Sequence, residues 1–202
     1  MKKMYALLTA AVLFFAATSQ AQIASLALGS NLPLADLRMK DISGREVSVK
    51  EAGKKNGVLV MFSCNTCPYV IKNQQRTKEV ADFAKQNDIG VILVNSNEGS
   101  RADQDSYAAM QAYAKEQGYD FYYAVDEGSR LANAYGATRT PELFIFDANG
   151  VLQYKGAIDD NPSEASNVKR THAKEAIREM TEGKSVSIRE SRSVGCTIKR
   201  VR

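Results

Sequence analysis

Histidine and cysteine are scarce in this sequence: His172 stands alone, and Cys64, Cys67 and Cys196 are the three cysteines among 202 residues. With a single imidazole, a copper or zinc site has to draw on the thiols. Charge of one sign is also missing. The formal net charge is +4, and it falls to +2 once Lys2 and Lys3 are set aside with the segment that carries them. Near balance of that kind excludes the broad basic field with which a protein holds nucleic acid. No long apolar run is present either. The run from Tyr5 to Ala17 is too short to cross a bilayer comfortably. It follows two lysines and precedes the small residues Ser19 and Ala21, which is the pattern of a cleaved export signal. Residues 1–21 are therefore expected to be a signal peptide and 22–202 an exported, periplasmic or secreted domain with no stable membrane insertion; an uncleaved anchor helix is the alternative. No cysteine lies near the cut, which excludes a lipid anchor on a new N-terminal thiol. Internal repeats and low-complexity linkers are absent, so the mature chain reads as one domain.

What the sequence does contain is a thiol pair in a telling place. The apolar run Val58-Leu59-Val60-Met61-Phe62 ends in Cys64-Asn65-Thr66-Cys67, and a polar stretch beginning at Pro68 follows. The order is buried strand, turn with two thiols, then helix. Free N–H groups and the helix dipole at that end favour a thiolate on the first sulfur. Closing the loop between Cys64 and Cys67 stabilises a fold by only about 2 kcal/mol in the chain-entropy treatment, whereas a bridge from either to Cys196 is worth about 5 kcal/mol. Stability alone favours the long bridge, so the tight pair reads as one meant to open and close. Cys196 has three readings: a free thiol, a third redox partner, or an intermolecular bridge.

Along the chain, Leu34–Val49 is expected to form a hairpin turning at Asp41-Ile42-Ser43-Gly44. One helix is expected from Pro68 to about Gln86, then a buried strand Val91–Val94. Asp103 is positioned to cap a helix carrying Tyr107, Met110 and Ala114 and ending at Gly118. Tyr122–Val125 is a strand, and Leu131, Ala132 and Tyr135 sit on a short helix stopped by Gly136. Leu143–Phe146, Asp147–Gly150 and Val151–Tyr154 give a hairpin. Ala173, Ala176, Ile177 and Met180 share one helical face. Arg189, Arg192, Lys199, Arg200 and Arg202, opposed only by Glu190, read as a solvated basic tail.

This succession is that of an α/β thioredoxin-like fold: a central mixed sheet flanked by helices, with an N-terminal β-hairpin. Such a fold places a cis proline opposite the thiols, and Thr140-Pro141 is where it falls. Phe62–Val70, Val94–Asn97, Thr140–Asp147 and Tyr154–Asp160 together resemble thioredoxin-like redoxins of the alkyl hydroperoxide reductase and thiol-specific antioxidant superfamily. Gly195-Cys196-Thr197-Ile198-Lys199 resembles the carboxy end of a peroxiredoxin-like branch. The resemblance implies that Cys64 and Cys67 are catalytic and that Thr140 and Pro141 bind an extended substrate chain as an added strand. It also shows departures. The hydroxyl residue that peroxiredoxins place three positions before the reactive cysteine is Met61 relative to Cys64. The buried acid that thioredoxins place six positions before the first cysteine is Val58.

The expected activity is thiol–disulfide exchange on protein disulfides, recharged by a thiol reductant and needing no cofactor. Cys64, exposed at the helix start, attacks; the more buried Cys67 resolves; Glu142 or Asp159 takes the proton from Cys67. Peroxidase activity is the enzymatic alternative. A copper- or zinc-binding thioredoxin-like chaperone, with Cys64 and Cys67 joined by His172 or Cys196, is the alternative of another class.

Overall fold

The computed structural model describes residues 24–201; the expected signal segment lies outside them. The strands are β1 (Met39–Lys40), β2 (Glu46–Val47), β3 (Gly57–Phe62), β4 (Ile89–Asn95), β5 (Tyr122–Val125), β6 (Arg139–Thr140), β7 (Glu142–Asp147), β8 (Leu152–Gly156) and β9 (Cys196–Thr197). The helices are α1 (Val49–Ala52), α2 (Pro68–Lys72), α3 (Gln74–Gln86), α4 (Tyr107–Gln117), α5 (Arg130–Tyr135) and α6 (His172–Thr181).

A five-stranded mixed sheet forms the centre. β3 runs antiparallel to β7, β7 antiparallel to β8, and β4 parallel to β5. β4 lies beside β3, where Ser63 N–H donates to Val94 O at 2.9 Å. Because side chains alternate across a strand, β3 sends Leu59 and Met61 to one face and Val58, Val60 and Phe62 to the other, and all five are buried. The first face is covered by Val80, Ala81 and Ala84 of α3 and by Ala173, Ala176 and Ile177 of α6. The second packs on Leu131, Ala132 and Tyr135 of α5. There Phe62, Tyr135 and Phe144 meet edge to face, with centroids 5.2–5.7 Å apart. An unbroken apolar run is what a strand covered on both faces requires.

Three expectations need correcting. The N-terminal hairpin forms as expected, but over two residues a strand and not the whole of Leu34–Val49. Ser48 and Glu51 form a capping box that draws Val49–Ala52 into α1 instead of a strand. The helix after the cysteines is broken at Asn73, whose side-chain amide donates to Tyr69 O at 2.7 Å and to Pro162 O at 2.9 Å. A side chain that bonds its own turn and a neighbouring loop interrupts the helical ladder there. Finally, α4 is capped by Ser106, whose hydroxyl accepts from Ala109 N–H at 3.3 Å, and not by Asp103.

The basic tail is only partly solvated: Arg192 and Lys199 are exposed, but the backbone of the segment is held against the domain. Lys155 N–H donates to Arg189 O and Ser191 N–H to Lys155 O, so residues 189–191 run along β8. β9 then pairs antiparallel with β6, setting Cys196 opposite Thr140 and Thr197 opposite Arg139. Ile198 is buried in the second core, and Lys199 is held through its backbone to Gly99 and Asn97.

Candidate active site around Cys64, Cys67 and Cys196

β3 runs into the thiol loop, and its antiparallel pairing with β7 sets Glu142 opposite Phe62, which brings the preceding strand β6 beside that loop. The Thr140–Pro141 bond is cis, as the sequence suggests. Thr140 is the residue on which the cysteines converge. Cys64 Sγ hydrogen-bonds to Thr140 Oγ1 at 3.3 Å. Cys67 Sγ lies 3.3 Å from Thr140 O. Cys196 is the register partner of Thr140 in β9.

The pairing of sulfurs departs from expectation. Cys67 is joined to Cys196 in a disulfide, with the Cα atoms 5.9 Å apart, and Cys64 is the free thiol. The long bridge, which loop entropy favours, is thus the one formed; the short Cys64–Cys67 bridge is open. Cys64 is not exposed at a helix start either. It is only 2% exposed, and Cys67, 3% exposed, occupies the N-cap of α2. A helix of five residues offers little dipole to a sulfur three positions before its cap.

Burial accordingly decides the state of Cys64. Desolvation pushes its pKa up, the hydrogen bond from Thr140 and the N–H groups of Cys67 and Thr66 pull it back, and the nearby Asp105 charge pushes it up further; the outcome is a raised pKa. Iodoacetamide should therefore modify Cys64 in the bridged protein with a midpoint above that of an ordinary thiol, and the midpoint should return to the ordinary value in urea. Linkage gives a second sign. Because the native thiol keeps its proton where the unfolded one loses it, this contribution to stability is complete below the ordinary thiol pKa and is lost as pH rises toward the native one. A profile centred at or below the ordinary value would contradict the buried setting.

Asp105 was not singled out in the sequence, yet it holds the thiol loop in place. It is fully buried. Its Oδ1 accepts from Asn65 N–H at 3.0 Å and from Asn95 Nδ2 at 2.8 Å, and its Oδ2 accepts from Asn97 Nδ2 at 3.0 Å. Asn65 is fastened further: its Nδ2 donates to Gln104 O and its Oδ1 accepts from Tyr123 OH. Asn97 Oδ1 in turn accepts from Lys199 N–H at 2.9 Å, tying the network to the tail. The signal available in the sequence was Val94-Asn95-Ser96-Asn97, two amides at a strand end with a carboxylate within reach.

The two proton-acceptor candidates sit elsewhere in the hydrogen bonding. Glu142 is spent on the turn before the proline, accepting from Thr138 N–H at 2.8 Å and Arg139 N–H at 3.1 Å. Burial raises its pKa against those bonds. Asp159 pairs with Arg76 at 2.7 Å and accepts from Asn161 N–H. Among the described residues neither carboxylate hydrogen-bonds to a cysteine sulfur. His172 opens α6, and the described residues hold no group of three His, Cys, Asp or Glu side chains placed to bind a metal. The copper or zinc reading thus lacks a ligand cluster here.

Known proteins resemble this chain in sequence and fold. The chain is 26% identical over 114 residues to the thiol-disulfide oxidoreductase ResA of Halalkalibacterium halodurans, covering 56% of this chain and 60% of that protein. It therefore spans about three-fifths of that relative's length. A conserved protein of Geobacillus kaustophilus superposes with a TM-score of 0.80 at 29% identity, over 87% of this chain and 93% of that one. A hypothetical protein of Sinorhizobium meliloti 1021 gives 0.79 at 29% identity, over 88% and 97%. The Redoxin family matches residues 27–171, most of the described chain, and the protein belongs to that family.

Proposed function

We propose that the protein is a thiol–disulfide oxidoreductase that uses Cys64 and Cys67 to reduce disulfides in other proteins. The observation that carries this reading is the convergence of all three cysteines on Thr140, with two of them joined in a disulfide and the third a free thiol. In the working cycle a thiolate of the pair attacks a substrate disulfide and forms a mixed disulfide, and one substrate sulfur leaves with a proton. The other thiolate then displaces the second substrate sulfur. Two electrons have passed to the substrate, and the Cys64–Cys67 disulfide that remains is reduced by an external thiol. No cofactor enters. The similarity to the thiol-disulfide oxidoreductase ResA supports the same chemistry.

Insulin, with dithiothreitol as the thiol source, provides the test. In a Cys196→Ser background, where Cys196 can no longer resolve a mixed disulfide, Cys64→Ser and Cys67→Ser should each lower the protein-dependent rate at least about a hundredfold, because either loss then leaves no intramolecular displacement. A variant that keeps a tenth of the rate would refute the dithiol cycle. Hydrogen peroxide supplied in place of insulin distinguishes the peroxidase alternative, whose orienting hydroxyl is replaced by the fully buried Met61.

The site of action is proposed to be outside the cytoplasm, on the strength of Lys2-Lys3, the apolar run to Ala17 and the small residues before Gln22. Among the described residues no helix is long and apolar enough to cross a membrane. Expressed from its full coding sequence in a bacterial host, the protein recovered beyond the inner membrane should begin at Gln22. An N-terminus at Met1 would contradict cleavage.

A further inference from the structure

We propose that Cys67, and not Cys64, is the sulfur that exchanges with a partner chain, that Cys64 is the resolving thiol, and that β9 is a tethered substrate occupying the edge where such a chain pairs. The proposal rests on the dithiol reading above and assigns the roles within it.

The tail meets the site as a bound peptide would. It adds a strand to β6 in antiparallel register, by the same main-chain pairing with which sheet edges capture extended peptides. Its cysteine falls opposite Thr140 and is bonded to Cys67. The sulfur engaged at the substrate edge is therefore the one at the helix cap, while Cys64, as buried as Cys67, is the free thiol beside it, hydrogen-bonded to the hydroxyl of the same threonine. That is the placement of a thiol that attacks only after a mixed disulfide has formed.

The seat is fitted to this segment. A Cβ on Gly195 would stand 2.1 Å from Thr140 O and 2.7 Å from Thr140 C, so only glycine passes at that separation. Farther back, a Cβ on Gly156 would stand 2.4 Å from Ser191 O. Arg139 Nη1 donates to Gly195 O at 3.1 Å, and Ile198 N–H donates to Thr138 O at 3.0 Å. The tail is at the same time lightly covered: Cys196 is half-buried and Thr197 and Lys199 are exposed.

The step balances without an outside electron. Cys64 gives its proton to solvent, and its thiolate attacks Cys67 Sγ. The Cys64–Cys67 bond forms as the Cys67–Cys196 bond breaks, and Cys196 leaves as a thiolate that takes a proton from solvent. The disulfide has moved, no net oxidation has occurred, and the strand edge at Thr140 is free. With a protein substrate in place of the tail, the same displacement releases its sulfur.

The test follows the disulfide and needs no substrate. Purified oxidised protein is held at one fixed pH with iodoacetamide, digested, and the labelled and bridged peptides are located by mass. In the wild type, label should appear on Cys196 as well as on Cys64, together with a Cys64–Cys67 bridge. In Cys64→Ser no label should appear on Cys196, since nothing can displace it. In Gly195→Val, which forces the strand off Thr140, the Cys196 share should rise at least about tenfold over wild type. Label confined to Cys64 in the wild type, with the Cys67–Cys196 bridge intact, would overturn the proposal. So would label on Cys196 that persists in Cys64→Ser. The wild-type and Cys64→Ser arms decide it without reference to how well Gly195→Val folds. Failure to reduce insulin, by contrast, would refute the oxidoreductase reading and leave this outcome readable.

Discussion

Reducing the Cys67–Cys196 bridge is expected to lower the stability of the protein by about 5 kcal/mol, read as a fall in the urea midpoint between the oxidised and dithiothreitol-treated wild type. The bridge spans 129 residues. In the chain-entropy treatment a loop of that size withdraws about 5 kcal/mol of freedom from the unfolded chain. Cys196→Ser should behave differently under oxidising conditions. Its Cys64 and Cys67 are left free to join, and that short loop returns about 2 kcal/mol, so the net loss should be nearer 3 kcal/mol. Treating the variant with dithiothreitol should then remove the remainder. Cys64→Ser keeps the long bridge and should unfold near the wild-type midpoint while oxidised. A difference below about 1 kcal/mol between the oxidised and reduced wild type would mean that the bridge does not constrain the unfolded chain.

That bridge also marks the limit of what could be read from residue order. The central strands announce themselves because burial on two faces leaves continuous apolar runs, and Val58–Phe62, Val91–Val94 and Tyr122–Val125 all lie in the sheet. Thr140-Pro141 and the Cys64–Cys67 pair are local motifs, and the fold brings them together as their resemblance to redoxins implies. The tail is of another kind. It is fixed by main-chain hydrogen bonds, by glycines at close approaches and by a single buried side chain, Ile198, none of which leaves a period in the sequence. Arg189 and Arg200 look solvated because their charge is counted and their acceptors are not: Arg189 donates to Leu152 O and Gln153 O, and Arg200 to Asn133 Oδ1, while Arg192 is exposed. Which two of three cysteines pair is likewise a matter of native proximity. Loop entropy ranks the alternatives by their effect on the unfolded chain, and spacing alone cannot say which sulfurs meet.

Asp105→Ala is expected to cost about 3–5 kcal/mol, as large an effect as any single change near the site, although the side chain touches no sulfur. The carboxylate receives three buried N–H donors, from Asn65, Asn95 and Asn97. Alanine leaves all three without a partner, and an unpaired buried donor costs about 1–3 kcal/mol. Asp105→Asn separates shape from charge. An asparagine oxygen at the Oδ1 position keeps the bonds from Asn65 and Asn95, but its amide then faces the amide of Asn97, donor against donor. Asn97 can relieve that only by turning over, and its oxygen then no longer reaches Lys199 N–H. The conservative variant should thus cost about 1–3 kcal/mol and loosen the tail. Both variants remove a negative charge that raises the Cys64 pKa. With the Cys67–Cys196 bridge intact, the pH midpoint of Cys64 alkylation should therefore move down in Asp105→Asn relative to the wild type. A lowered urea midpoint with an unmoved alkylation profile would show that Asp105 serves the fold alone; a shift in both is expected of a carboxylate that holds the thiol loop and adds to the rise that burial imposes on the Cys64 pKa.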